Sequence, residues 1–481
     1  MTGATGTGAG RVLVYGLGVS GAAVVRHLVA EGLDVVVVDD DGGEGPHQRA
    51  AALGVELVVA PPGERLRELA SAVDEIVVSP GVPAGHRVFA LGIGVPLVGE
   101  VELAWRRCRA AMVAVTGTNG KTTVTTLVTA MLRASGVKAV AAGNIGAPLL
   151  DAVAGDADVI VAEVSSFQLA LTATFRPAVA AWINFSEDHL DWHATLEDYR
   201  QAKARIWANS GPGDVVVANA DDPVVLAASG APRARGATVV TFGLGAPGQR
   251  TGSPRADDTV ADYTVADGRL VGPGGVVVAP VAELPRRLPH DLANALAAAA
   301  SALAAGADPG GCREALGAFG GLPHRVELVG EARGVRFYDD SKATTPGAVL
   351  AALDGFHSAV LIAGGRNKGL DLSVLREAAG RLHGVVAIGE AAAEVGAAFA
   401  GACTVVEAPS MADAVRRAVE LARPGDAVVL SPACASFDWY LSYGARGDDF
   451  AARVRALEGF VGPTVAATDG ADTDDDLVVD R

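Results

Sequence analysis

Apolar residues along this chain gather in short runs that end in glycine-rich or polar turns. The first run, Val12-Leu13-Val14-Tyr15, meets Gly16-Leu17-Gly18-Val19-Ser20-Gly21. A helical pattern follows to about residue 31, then a second apolar run over 35–38 that ends at Asp39. This is a strand–helix–strand unit with a G-x-G-x-x-G turn and an acidic residue closing its second strand. Further short strands are expected over 56–59 and 75–78, with Ser79-Pro80-Gly81 as a loop at a strand end. A second set opens with Val113-Ala114-Val115, runs into Thr116-Gly117-Thr118-Asn119-Gly120-Lys121-Thr122-Thr123, and continues as a helical run over 124–133. Strands are expected over 159–162, 179–183 and 215–217, hairpins or loops around 245–275, and an alanine-rich helix over 291–305. The third set starts near Leu322-Pro323-His324-Arg325 and carries strands over 335–338, 359–363, 384–388 and 427–430. Strand–helix alternation predicts α/β architecture with parallel sheets. Three domains are expected: a Rossmann-like unit over 1–105, a central P-loop unit over 106–321, and a Rossmann-like unit over 322–462. A tail over 463–481 remains.

Composition narrows the picture. Hydrophobic residues make up 50% of the 481, yet no uninterrupted apolar run could span a bilayer. Residues 1–10 lack the charged and apolar regions of a signal peptide. The expectation is a cytoplasmic protein with no membrane span. Cys108, Cys312, Cys403 and Cys434 have no metal-ligand spacing and fit reduced thiols. A net charge of −17 argues against nucleic-acid binding. An anionic substrate would need locally placed cations and helix N-termini. Asp469, Asp472, Asp474, Asp475, Asp476 and Asp480 crowd the last stretch, which reads as a disordered acidic tail.

The turn over 116–123 carries the clearest chemistry. A strand, a glycine turn ending in Gly-Lys-Thr, and a helix suit a loop whose N–H groups wrap a phosphate chain. Lys121 would face the β- and γ-phosphates, and Thr122 would offer its hydroxyl to Mg²⁺. Val115 stands where the strict pattern has glycine, so this is a variant P-loop. Glu163, just after an apolar strand, is well placed for Mg²⁺. The loop Asn184-Phe185-Ser186-Glu187-Asp188-His189-Leu190-Asp191 gathers polar groups where the sheet crevice should lie. Lys203 reads, from its own surroundings, as an exposed helix lysine. The first-domain turn could hold any pyrophosphate, that of NAD or of a UDP-sugar; a second nucleotide site makes NAD the weaker choice. In the third domain, polar loops around Lys342, Lys368 and Ser436 end strands. Lys342, Lys368 and Arg325 would supply cations for an acidic amino acid and ATP. Cys434 reads as a buried thiol.

Together these loops resemble the Mur ligase family over nearly the whole chain, from Arg11 to about Gly462. Asp340-Ser341-Lys342-Ala343-Thr344 and the run from Leu430 to Asp438 resemble its D-glutamate-adding branch. The resemblance implies an ATP-dependent ligase that joins D-glutamate to UDP-N-acetylmuramoyl-L-alanine through an acyl phosphate, in peptidoglycan precursor synthesis. It implies that ATP meets Gly117, Thr118, Asn119, Gly120, Lys121, Thr122, Thr123, Asn294, Arg325 and Asp340. The UDP-substrate would meet Gly18, Val19, Ser20, Gly21, Asp39, Ser79, Asn144 and Asp188. D-Glutamate would meet Lys342, Thr344, Lys368, Ser436, Phe437 and Tyr443. Lys121, Glu163, His189 and Lys203 would be catalytic, with Thr122, Glu163, His189 and Lys203 serving two Mg²⁺ ions. It also implies that CO₂ carbamylates Lys203, which reverses the reading of that residue as a bystander. A monomer is expected.

Departures from the family pattern fall at Asp39-Asp40-Asp41, Asp291, Thr345 and Arg366-Asn367. Another Mur-type or folylpolyglutamate-type amide ligase remains an alternative, as does an NAD-dependent oxidoreductase of a different class.

Overall fold

The computed structural model describes residues 10–190, 192–245 and 261–463. Its first sheet contains β1 (Arg11–Tyr15), β2 (Asp34–Asp39), β3 (Leu57–Val59), β4 (Glu75–Val78) and β5 (Leu97–Val98). All pairs are parallel, in the order β3-β2-β1-β4-β5. Consecutive residues of β1 are buried, because both faces are covered, which is why its sequence is a continuous apolar run. The chain leaves β1 to one side for β2 and returns on the other side as β4. The crevice at that switch point receives the Gly16–Gly21 turn.

The second sheet is built from β6 (Ala111–Thr116), β7 (Ala139–Gly143), β8 (Val159–Glu163), β9 (Val179–Trp182), β10 (Val215–Asn219) and β11 (Thr238–Phe242). It too is parallel, ordered β11-β10-β9-β6-β8-β7. The central strand β6 and its neighbours β8 and β9 all deliver their C-terminal residues to one edge. The helix over Lys121–Ala134 packs beside the helix over Pro289–Ala304, whose run of buried alanines permits a close approach. A small antiparallel sheet, β12 (Thr264–Ala266), β13 (Arg269–Val271) and β14 (Val277–Pro280), flanks this unit. It accounts for the hairpin expectation; residues 246–260 lie outside the described residues.

The third sheet comprises β15 (Glu327–Ala332), β16 (Val335–Asp339), β17 (Ala359–Gly364), β18 (Leu382–Ile388), β19 (Thr404–Ala408) and β20 (Ala427–Leu430). The order is β15-β16-β20-β17-β18-β19. The all-parallel expectation fails at β15, which pairs antiparallel with β16. A two-residue turn, Arg333-Gly334, with φ of 54° and 75°, closes that hairpin. Strands β5, β7, β11, β15 and β19 are not among the sequence expectations. β7, for instance, is Ala-Val-Ala-Ala-Gly, of low strand propensity, and is held by its pairing with β8.

Among the described residues no helix is long and apolar enough to cross a membrane. The acidic tail expected after Gly462 lies, beyond Pro463, outside the described residues.

Candidate active site

Two glycine turns at strand ends dominate the molecule. In the first, a Cβ on Gly21 would come within 1.9 Å of the Gly16 carbonyl oxygen. Only glycine lets the Val19–Ala30 helix start that close to β1. Gly18 and Val19 stand exposed at the lip, while Ser20 and Gly21 are buried beneath it. Ser79 Oγ donates to Gly16 O (2.6 Å), and Asp39 Oδ2 accepts from the Leu17 N–H (2.6 Å). The acid triplet that departs from the family pattern is accommodated locally. Asp40 accepts from the Tyr15 hydroxyl (2.9 Å) and from Arg87 Nη2 (3.0 Å), and lies 2.9 Å from His86 Nε2. Burial and this carboxylate push the Tyr15 phenol up to about 12.

In the second turn, β6 delivers Gly117-Thr118-Asn119-Gly120 to the helix that begins at Lys121. Gly120 has φ of +79°, and a Cβ there would lie 2.6 Å from Asn294 Oδ1. The loop is therefore closed against the alanine-rich helix. Asn184, at the end of β9, braces it: Oδ1 accepts from the N–H groups of Thr118 and Asn119, both at 2.9 Å. Lys121 Nζ folds over the loop and donates to the Gly117 and Thr118 carbonyls, both at 3.0 Å. Thr122 Oγ1 accepts from Arg325 Nη2 at 2.9 Å, which ties the start of the third domain to the P-loop. Thr123 is half-buried in the same helical turn.

Glu163 ends β8 and is buried. Its Oε1 accepts from Asn144 Nδ2 (2.8 Å), whereas Oε2 is buried without a hydrogen-bond partner among the described residues. A buried oxygen without a partner is costly unless a donor or cation meets it. The charges of Glu163 and Asp188 both act on Lys121, and a buried carboxylate oxygen without a partner has the chemistry of a Mg²⁺ ligand, although Glu163, Asp188 and His189 do not bring three ligand atoms within 4.8 Å of one another. Asp188 and His189 follow on the loop after β9. The His189 N–H donates to Asp188 Oδ1 (2.8 Å), and its Nε2 lies 3.3 Å from Oδ2. His189 has φ of 56°, a conformation few non-glycine residues adopt.

Lys203 corrects the surface reading. It is 1% exposed, donates to Gly117 O at 2.6 Å, and lies 4.7 Å from the Tyr199 ring centroid. Tyr199 stands one helical turn earlier on the same face, a spacing that could have flagged the pair. Burial pushes the Lys203 amine well below its usual range. The Lys121 charge adds to that, and Asp188 and Glu163 oppose it. Lys121 is depressed for the same leading reason.

The third-domain loops carry the remaining expected residues. Asp340 is buried, with Oδ1 accepting from the Val326 N–H (3.2 Å) and Oδ2 from Ser431 Oγ (2.7 Å). Desolvation lifts its carboxyl to about 7. Lys342 Nζ sits 3.7 Å from the Tyr443 ring centroid. Ser436 is buried and Thr344 half-buried, while Lys368 and Phe437 are exposed on their loops. Cys434 is buried, and its thiol is pushed up to about 12.

Two further side chains that the sequence does not mark, Arg446 and Arg286, organise this region. The buried Arg446 donates to Ser341 Oγ (2.9 Å), Ser341 O (2.8 Å) and Cys434 O (3.1 Å), joining the loops after β16 and β20. Asp291 accepts from Arg286 Nε (2.9 Å), and Arg286 donates onward to the carbonyls of Arg325 (3.1 Å) and Val326 (3.0 Å). The Asp291 departure thus comes with an arginine that grips the chain entering the third domain. Arg366 pairs with Glu390 (2.9 Å) and Asn367 Nδ2 donates to Glu394 (2.6 Å), while Thr345 caps the Pro346–Leu353 helix without a side-chain bond.

Residues 10–99 match the Mur ligase MurD-like N-terminal domain, residues 115–302 the Mur ligase middle domain, and residues 324–434 the Mur ligase glutamate ligase domain. A UDP-N-acetylmuramoylalanine–D-glutamate ligase of Frankia casuarinae is 45% identical, over 93% of this chain and 94% of that protein. The like-named ligase of Thermobifida fusca is 41% identical, over 93% and 99%. Among solved structures, a pseudomurein peptide ligase type C from Methanothermus fervidus superposes with a TM-score of 0.56 at 17% identity, covering 92% of this chain and 99% of that one. UDP-N-acetylmuramate–alanine ligase from Thermotoga maritima gives 0.53 at 18%, with coverage of 92% and 99%. At these identities the two structures show a shared fold. The relatives and the domain matches together establish that this chain belongs to the Mur ligase family.

Proposed function

We infer that this chain is an ATP-dependent amide ligase that adds D-glutamate to UDP-N-acetylmuramoyl-L-alanine in peptidoglycan precursor synthesis. The observation that carries the reading is the pair of buried charged side chains Glu163 and Lys203, set beside the half-buried Lys121, Asp188 and His189 at the strand ends that meet the glycine turn. It faces polar loops of a second sheet through the Arg325–Thr122 bond.

The chemistry follows from the groups. A carboxylate is a poor electrophile. Its oxygen attacks the γ-phosphorus of ATP, the bond to the β-bridging oxygen breaks, and ADP leaves. The amine of D-glutamate then attacks the acyl carbon, sheds a proton, and expels inorganic phosphate. Phosphoryl transfer depends on alignment and charge neutralisation. Lys121 and the N-terminus of the Lys121–Ala134 helix supply positive potential at the phosphates. Gly117, Thr118, Asn119, Gly120, Thr122 and Thr123 wrap the phosphate chain, with Asn294, Arg325 and Asp340 completing the nucleotide site.

Thr122, Glu163 and His189 would hold Mg²⁺, two ions in all, which would neutralise phosphate charge when bound. We assign a carbamate to Lys203: a buried amine with a depressed pKa is nucleophilic toward CO₂, and the product would be an anion suited to Mg²⁺. Gly18, Val19, Ser20, Gly21, Asp39 and Ser79 would hold the UDP portion, and Asn144 and Asp188 would line the path to the carboxylate. Lys342, Thr344, Lys368, Ser436, Phe437 and Tyr443 would surround D-glutamate. The enzyme acts in the cytoplasm as a monomer, in three units bounded at 105, 321 and 462.

The test is phosphate release with ATP, Mg²⁺ and UDP-N-acetylmuramoyl-L-alanine, with D-glutamate, L-glutamate or neither. Release that requires the D-isomer is expected. Equal release with L-glutamate would defeat the assignment.

A further inference from the structure

Trp192 occupies a junction that none of the roles above uses. Its indole Nε1–H donates to the carbonyl of Val82 at 3.0 Å. Val82 belongs to the first domain, in the loop that begins at Ser79 and packs on the first glycine turn. Ser79 Oγ bonds the Gly16 carbonyl, the Val82 N–H donates to Ser79 O (3.1 Å), and a Cβ on Gly16 would touch Val82 Cγ2 at 3.4 Å. Trp192 itself belongs to the central domain, three residues after His189. Its N–H donates to the His189 carbonyl at 3.1 Å.

The indole ring completes the junction. It lies 4.8 Å from the Phe167 ring and 4.5 Å from the His193 ring. Phe167 sits on the short helix that follows Glu163, and its ring and the His189 imidazole are T-shaped at 4.8 Å between centroids. His193 is buried and reaches Ser166 Oγ, on the same helix, at 2.9 Å. One side chain therefore touches the loop under the first-domain turn, the segment after Glu163, and the loop that carries His189 in a strained conformation.

We propose that Trp192 is a positioning residue that couples occupation of the first-domain glycine turn to the placement of His189 at the P-loop. This rests on the function proposed above. A filled turn would fix the Ser79–Val82 loop, and the Val82 carbonyl would hold the indole. The indole, through Phe167 and its own backbone bond, would hold His189. Coupling of this kind is reciprocal between the two ligands.

The probe is UDP alone, which lacks the muramoyl arm. UDP affinity is measured by calorimetry in the presence and absence of Mg²⁺ with a non-hydrolysable ATP analogue. In the wild-type protein UDP should bind about 5-fold tighter when the nucleotide site is filled, the lower end of ordinary coupling. In Trp192→Phe, which keeps a ring but lacks the N–H, that ratio should fall to near one while UDP affinity alone changes little. A second measurement needs no variant: UDP should slow amide hydrogen exchange at residues 184–190 of the wild-type protein. A ratio that survives in Trp192→Phe, or a wild-type protein with no coupling and no exchange effect, overturns the proposal. Failure of the wild-type protein to bind UDP would instead overturn the proposed function.

Discussion

The two glycine turns of this chain have the same local plan and different surroundings. Each follows a buried parallel strand, and each begins a helix. Around the first, Asp39, Asp40 and Ser79 are spent on the protein's own N–H, O–H, guanidinium and carbonyl groups, and the Arg49 guanidinium is spent on the Leu17 carbonyl (2.5 Å). Around the second, Lys121 and Lys203 share the Gly117 carbonyl, Arg325 reaches Thr122, and Glu163 keeps an unsatisfied oxygen. A turn of the first kind can hold a phosphate by backbone and helix potential alone. The second adds two lysines on one loop carbonyl and a carboxylate oxygen without a partner among the described residues, groups suited to charge that moves during a reaction. The comparison teaches that the glycine pattern locates a phosphate site, and the charged side chains packed behind it decide whether chemistry happens there.

The sharpest way to break this contrast is to remove the cation. Lys121→Ala should lower ATP turnover by about 10³-fold, the upper range for loss of one electrostatic group. A change below tenfold in steady-state phosphate release would show that the turn works without it. Next is Lys203→Ala, where a loss of about 100-fold is expected, with partial recovery on adding formate or acetate. No recovery at any carboxylate concentration would remove the carbamate from the account.

The first turn should respond differently. A methyl group on Gly21 meets the Gly16 carbonyl at 1.9 Å, so Gly21→Ala must displace the helix start, at a cost of about 1–3 kcal/mol. The expected result is a raised KM for the UDP-substrate with the KM for ATP unchanged. An equal rise in both would mean that the two turns are not separable sites.

The smallest effect concerns pH and stability. Burial pushes the Asp340 carboxyl up from its ordinary 3.8 to about 7 in the folded protein. Between those values the native state holds the additional proton, so stability falls as pH rises through that window. Asp340→Asn removes this cost. Its melting temperature should exceed that of the parent by about 2 °C or more at pH 8, with the difference shrinking toward pH 5. A difference that does not depend on pH would place the lifted carboxyl elsewhere.

Legibility in the sequence followed the same divide. Strands buried on both faces, such as β1, β6 and β17, advertise themselves as apolar runs, and the turns after them carry glycine. The edge strand β15 and the alanine-rich β7 were invisible because pairing, not local propensity, holds them. Lys121 was legible from the motif. Lys203 was legible only through the family resemblance: charged residues surround it along its helix, and only the packing of that helix against the P-loop buries it. Arg286, Arg446 and Trp192 act by reaching between segments far apart in sequence, and no local spacing reports that.

The central claim is that the γ-phosphoryl group of ATP passes to a substrate carboxylate. The most direct measurement uses UDP-N-acetylmuramoyl-L-alanine labelled with ¹⁸O in its alanyl carboxylate, turned over with ATP and D-glutamate. The phosphate released should carry one ¹⁸O from that carboxylate. Phosphate without the label, formed as fast as the amide, would contradict the account.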